Sequence, residues 1–108
     1  MASTYLSRTP SSAGNRKKFT ISLWVKRTKL GIDQYMVQAG ASGSEFDIRF
    51  NTNDQLRFSE YGGGTGYGLI TNRVFRDVSA WMHLVFVYDS AQATDTNRNK
   101  IYVNGELI

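Results

Sequence analysis

Residues 19–26 read Phe19-Thr20-Ile21-Ser22-Leu23-Trp24-Val25-Lys26. Phe19, Ile21, Leu23 and Val25 fall on one face of an extended chain, and Thr20, Ser22, Trp24 and Lys26 on the other. A period of two is the mark of a strand that buries one face and wets the other. Trp24 breaks the polar side. Either a second layer covers it, or it stands exposed for binding.

The same chemistry repeats along the chain after this segment. Gln34–Ala39 is a second strand. Phe46, Ile48 and Phe50 alternate within 45–50, and Leu56 and Phe58 within 55–60. The Asn51-Thr52-Asn53-Asp54 turn between them predicts a hairpin. Residues 61–68, Tyr-Gly-Gly-Gly-Thr-Gly-Tyr-Gly, read as a flexible loop, and 69–75 as a weaker strand. Trp81-Met82-His83-Leu84-Val85-Phe86-Val87-Tyr88-Asp89 is nearly continuous in apolar residues. That is expected of a central strand buried on both faces. After a polar stretch over 90–99 comes the strand Lys100–Val103. Asn104-Gly105 then signals a tight hairpin, and Glu106 opens the return strand.

Residues 1–18 are small and polar, with Tyr5-Leu6 as a short first strand. The division is therefore an N-terminal arm over 1–18 and a β-sandwich over 19–108. The chain of 108 residues fits one domain. Aromatics at 13%, ten glycines and one proline favour strands joined by turns over helices.

Several function classes recede on composition. Without cysteine there is neither a disulfide framework nor a thiolate metal site. The longest apolar run, Leu84–Tyr88, is too short to span a bilayer, so no membrane insertion is expected. Met1-Ala2-Ser3-Thr4 leads into no hydrophobic segment, and no signal peptide is expected. The net charge of +4 concentrates in Arg16, Lys17, Lys18, Lys26, Arg27 and Lys29. This cluster reads as a solvated loop and strand edge, where lysine blocks edge-to-edge pairing. The charge bias is weak for a nucleic-acid module, and no specific nucleic acid is expected.

Three stretches, 19–26, 81–89 and Ile101-Tyr102-Val103-Asn104-Gly105, occur in an order similar to laminin-G-like domains of the concanavalin-A-like lectin/glucanase superfamily. Residues 5–17 and 72–81 more specifically resemble proteins of tailed, notably marine, bacteriophages. The resemblance implies an all-β antiparallel jelly-roll β-sandwich. It covers the leading portion of the family's domain, which implies a sandwich incomplete at its C-terminus. It also implies a non-catalytic virion module (fibre, appendage or decoration), assembled in the host cytoplasm as a homo-oligomer. Its partners would be other virion proteins or a host-surface glycan, in some relatives with Ca²⁺.

Candidate site residues follow. Tyr61 and Tyr67 offer flat faces for a sugar ring on a rim loop, with Trp24 as a further platform. Trp81 reads as a packing residue. Asp95 with Asn97 is the best local pair of oxygen donors for Ca²⁺ among Asp33, Asp47, Asp54, Asp89 and Asp95. His83, the sole histidine, reads as structural, with nothing placing a nucleophile beside it. Glu45 and Asp47 share a strand face and resemble the start of a glycosidase Glu-x-Asp-x-x-Glu strand, but Phe50 stands at the third position. They read as a solvent face, and the alternative is a glycan hydrolase whose further catalytic residues lie beyond Ile108.

Overall fold

The alternating segment forms β1, Lys18–Val25, and burial switches at every residue along it. The structure, a computed structural model, describes residues 4–62 and 65–108. The other strands are β2 Gln34–Ala41, β3 Ser44–Phe50, β4 Gln55–Gly62, β5 Thr65–Val74, β6 Met82–Asp89, β7 Asn99–Val103 and β8 Glu106–Leu107. A single 3₁₀ turn, Asp95–Asn97, interrupts the connection to β7.

Two four-stranded sheets result, β1-β6-β7-β8 and β2-β3-β4-β5. All pairings are antiparallel. The second sheet is a meander whose hairpins set its order. In the first, β1 lies against β6 from Lys18↔Asp89 to Val25↔Met82, so the chain passes through the whole second sheet before returning to pair with β1.

The core lies between the sheets. Met82, Leu84, Phe86, Ile101 and Val103 come from the first sheet, and Ile48, Phe50, Leu56 and Phe58 from the second. Phe75, just past β5, joins them. The inward side of β1 packs on this core as partly buried residues. Asn104 and Gly105 take φ of +50° and +85°, the left-handed pair that a two-residue turn between twisted strands requires.

Several expectations are corrected. Tyr5-Leu6 forms no strand: residues 4–10 carry no regular structure and both side chains are exposed. The arm presents two apolar residues and no pattern that a sheet edge would bury. Residues 1–3 lie outside the described residues. β6 is central but not buried on both faces. Met82, Leu84 and Phe86 are buried on its inward side, whereas His83, Val85 and Val87 on the other are only half-buried, because a two-layer sandwich covers one face of each sheet.

The glycine-rich stretch 61–68 is largely strand, with Gly63 and Gly64 outside the described residues. β4 and β5 stay paired as far as Gly62↔Thr65. Glycine suits close approach here: a Cβ on Gly68 would sit 2.4 Å from the Phe58 carbonyl oxygen. Weak strand propensity was therefore a poor guide; the absence of a side chain is what lets these strands meet.

Arg27 is not part of a solvated cluster. It is 2% exposed. Its Nη1 donates to Asp54 Oδ1 at 2.9 Å and to the Phe75 carbonyl at 2.6 Å. Nη2 donates to the Lys29 carbonyl and Nε to Gln34 Oε1, each at 3.0 Å. The guanidinium also lies 4.5 Å from the Phe50 ring centroid.

Candidate functional site

The sequence-derived candidates do not converge. Tyr61 pairs with Gly66, while Tyr67 pairs with Glu60. Paired residues share a face and neighbours along a strand alternate, so the two tyrosines point to opposite faces of their hairpin. Trp24 lies on the outer face of the other sheet, 66% exposed. Asp95 and Asn97 sit on the 3₁₀ turn, and the Asp95 carboxylate pairs with Arg98 at 2.7 Å. Calcium takes about six to eight oxygens. Among the described residues no three His, Cys, Asp or Glu side chains gather, so one carboxylate already paired with arginine does not fit the ion.

His83 lies on the outer face with its ring stacked on Trp24, centroids 5.0 Å apart. A hydroxyl does stand beside it: Ser22 Oγ is 2.8 Å from His83 Nε2, a diagonal contact between β1 and β6. This is half of a nucleophilic constellation. Among the described residues no carboxylate is hydrogen-bonded to the ring to complete it.

Asp47 faces outward from β3, opposite Phe46, Ile48 and Phe50, but neighbouring side chains cover it. It is 8% exposed, and its Oδ1 lies 3.7 Å from Arg49 Nε. Neither atom has a hydrogen bond among the described residues, so the two form one stretched ion pair. Arg49 is further held by the Tyr35 hydroxyl and by Asp33 at 3.5 Å.

The structure instead gathers a different group at one end of the sandwich. A cleft of about 290 Å³ opens between the end of β5, the connection 75–81, the start of β6 and the Asn104 turn. Its volume is at the lower end of small-molecule sites, about 300–1,000 Å³. Buried Phe75, Met82 and Val103 line it together with exposed Arg73, Arg76, Asp77, Trp81 and Asn104. Trp81 is 63% exposed, which corrects its reading as a packing residue: it precedes the first paired residue of β6 and no second layer reaches it.

Local folding explains the delivery of each group. The β4–β5 register slips between Gln55↔Val74 and Arg57↔Ile70, leaving extra residues on β5. Thr71 stabilises this bulge, its Oγ1 accepting from the Leu56 amide and donating to the Arg73 carbonyl. Bulges commonly re-aim a side chain, and here Arg73 ends 5.0 Å from the Phe75 ring centroid. Arg76 is held by Nε on Asp54 Oδ2 at 3.2 Å. Asn104 Oδ1 accepts from the His83 amide at 2.9 Å. No sequence motif marks this set, because its members come from three separate elements.

The carboxylates near the cleft are already engaged. The Gly31 amide, donating at 2.8 Å, is the main cause of the lowered pKa of Asp54, with Arg27 and Arg76 adding to it and burial opposing it. Asp77 is held below its ordinary value first by the Ser79 hydroxyl and then by the Ser79 amide. At the opposite end of β6, the Gln92 side chain, the Ala91 amide and Lys18 lower Asp89.

All three groups bind protons less tightly folded than unfolded. Their stabilisation is fully present above the unfolded aspartate value, about 3.9, and is lost as the pH falls through the lower folded values. Thermal melts should therefore show little change from these groups between neutrality and about pH 4, then a falling midpoint. Asp77→Asn should remove part of that drop. A midpoint that rises on acidification below this range would contradict the assignment.

A family model described as the concanavalin A-like lectin/glucanases superfamily, of laminin-G type, matches residues 2–108. No curated protein and no solved structure matches the chain.

Proposed function

We propose that this chain, which belongs to the concanavalin A-like lectin/glucanase superfamily, is a non-catalytic recognition module that binds a glycan in the cleft between Arg73, Arg76, Trp81 and Asn104. The observation that carries this reading is Trp81, 63% exposed beside a buried apolar floor. An exposed indole offers a flat apolar face that suits the C–H side of a sugar ring.

The finer setting is the virion of a tailed bacteriophage, with a host-surface glycan as ligand. What supports it is resemblance: the phage-like stretch 72–81 supplies most of the cleft's lining. Glycan-array binding at physiological salt tests the recognition role. Trp81→Ala should weaken binding about tenfold and leave the melting temperature nearly unchanged. Wild-type and Trp81→Ala chains giving equal array signals would remove the cleft from recognition. Absence of the protein from purified particles by mass spectrometry would remove the virion setting.

A second reading, virion assembly, is favoured by the outer face of β1-β6-β7-β8. Trp24 and Leu107 are 66% and 57% exposed there. Catalysis is not part of the proposal. Asp47 is tied to Arg49, and Phe50 stands where a third carboxylate would complete the glycosidase strand. Glycan turnover abolished by Glu45→Gln with Asp47→Asn would replace the recognition reading with a hydrolase.

A further inference from the structure

We infer that the cleft selects a saccharide bearing a carboxylate, a uronate-type ring, over a neutral one. This rests on the reading of the cleft as a glycan site and adds the chemical class of its ligand.

Charge is the first argument. Two guanidinium groups, Arg73 and Arg76, line a small cleft whose only carboxylate is Asp77. That carboxylate is turned to its own connection, Oδ1 accepting both the amide and the hydroxyl of Ser79 at 2.8 and 2.7 Å. Lys26 acts on it from nearby as a further cation. Asp54, the other acid close by, is matched by buried Arg27. The cations at the cleft therefore outnumber the acids.

The cleft also carries unused donor capacity. Arg76 spends Nε on Asp54, while its side chain stays 64% exposed. Among the described residues its terminal amino groups have no protein partner, and neither does any side-chain nitrogen of Arg73. A guanidinium fork matches a carboxylate with two parallel hydrogen bonds. Asn104 spends Oδ1 on the His83 amide, which leaves its Nδ2 hydrogens for a hydroxyl.

The rest of the cleft is apolar. Phe75, Met82 and Val103 are each under a tenth exposed and form the floor, with Trp81 as an exposed wall. A ligand that is only an anion, such as phosphate, leaves that surface wet. A neutral sugar leaves the guanidinium donors to water. A uronate ring covers both.

The test is titration of the folded chain, followed by the Trp81 indole N–H resonance. The probes are galacturonate, alginate and hyaluronate oligomers, each against its carboxyl-reduced counterpart, and inorganic phosphate alone. We expect at least one acidic oligomer to shift the Trp81 signal. Its reduced form should bind about tenfold more weakly, as should the Arg73→Gln variant with the acidic form. Added salt should weaken the acidic form more than the reduced one. Equal binding of acidic and reduced forms would overturn the inference and leave the glycan site standing. Phosphate matching the oligomers in shift and affinity would overturn the saccharide assignment. No shift with any probe would overturn both readings.

Discussion

Replacing Arg27 with methionine will destabilise the fold by about 3–5 kcal/mol, although the residue lies in what reads as a surface run of positive charge. Arg27 is 2% exposed and joins Asp54, the Phe75 and Lys29 carbonyls and Gln34. Methionine keeps an unbranched apolar side chain but removes every donor and the guanidinium over Phe50. It leaves Asp54 Oδ1 with the Gly31 amide and Oδ2 with Arg76, and it leaves the Phe75 carbonyl without its guanidinium. Removing one partner of a buried pair is costly because the other charge stays in a poor solvent.

Against a total stability of about 5–15 kcal/mol, this is a large fraction. Denaturant titration measures it. Adding Asp54→Asn should cost less on the Arg27→Met background than on the wild type, since Asp54 has by then lost its buried cation. Asparagine also tolerates the left-handed backbone at this position, φ +62°. A loss below about 1 kcal/mol for Arg27→Met would match an exposed ion pair and overturn the buried one. The same network sets the cleft, because Arg27 holds the Phe75 carbonyl and Asp54 holds Arg76. The variant should weaken ligand binding even where it remains folded.

This network also marks where sequence reading stops. β1 and the β3–β4 hairpin were legible because alternation depends on neighbours two residues apart. The Asn104-Gly105 turn was legible because two adjacent residues determine it. Arg27 and Asp54 are 27 residues apart, and neither has a local pattern that separates a buried partner from a solvated charge. The cleft was illegible for the same reason. Arg73 is placed by a bulge, Trp81 by the start of β6 and Asn104 by a turn after β7. Trp24, Tyr61 and Tyr67 stood out as aromatics off the core pattern, but register alone decides which face each occupies. It places Tyr61 and Tyr67 back to back.

The resemblance drawn from residues 19–26, 81–89 and 101–105 reaches further than periodicity, and the family match over 2–108 agrees with it. Fold does not carry function by itself; in this chain the function rests on the residues of the cleft.

Phe58→Ala is the second large effect, about 3–5 kcal/mol. Phe58 is 3% exposed and connects the layers. Its ring meets Phe86 of the first sheet edge-on, centroids 5.5 Å apart, and Phe46 of its own sheet at 5.6 Å. Phe46 meets Phe19 at 5.7 Å, and Phe19 meets Tyr88 at 5.1 Å. This aromatic series crosses the interface twice. A sandwich without disulfides depends on such contacts, because strand hydrogen bonds hold each sheet internally and, apart from the chain connections after β1 and β5, only packing holds the two together. Truncation leaves a cavity that extended strands cannot collapse into without disturbing their own ladders. Phe58→Leu, which keeps most of the volume, should cost about 1–2 kcal/mol. The comparison separates cavity formation from a general intolerance of change. Near-equal losses for alanine and leucine would mean that the site depends on ring contacts rather than filled volume. Losses below about 1 kcal/mol for alanine would mean that Phe58 does not join the two sheets.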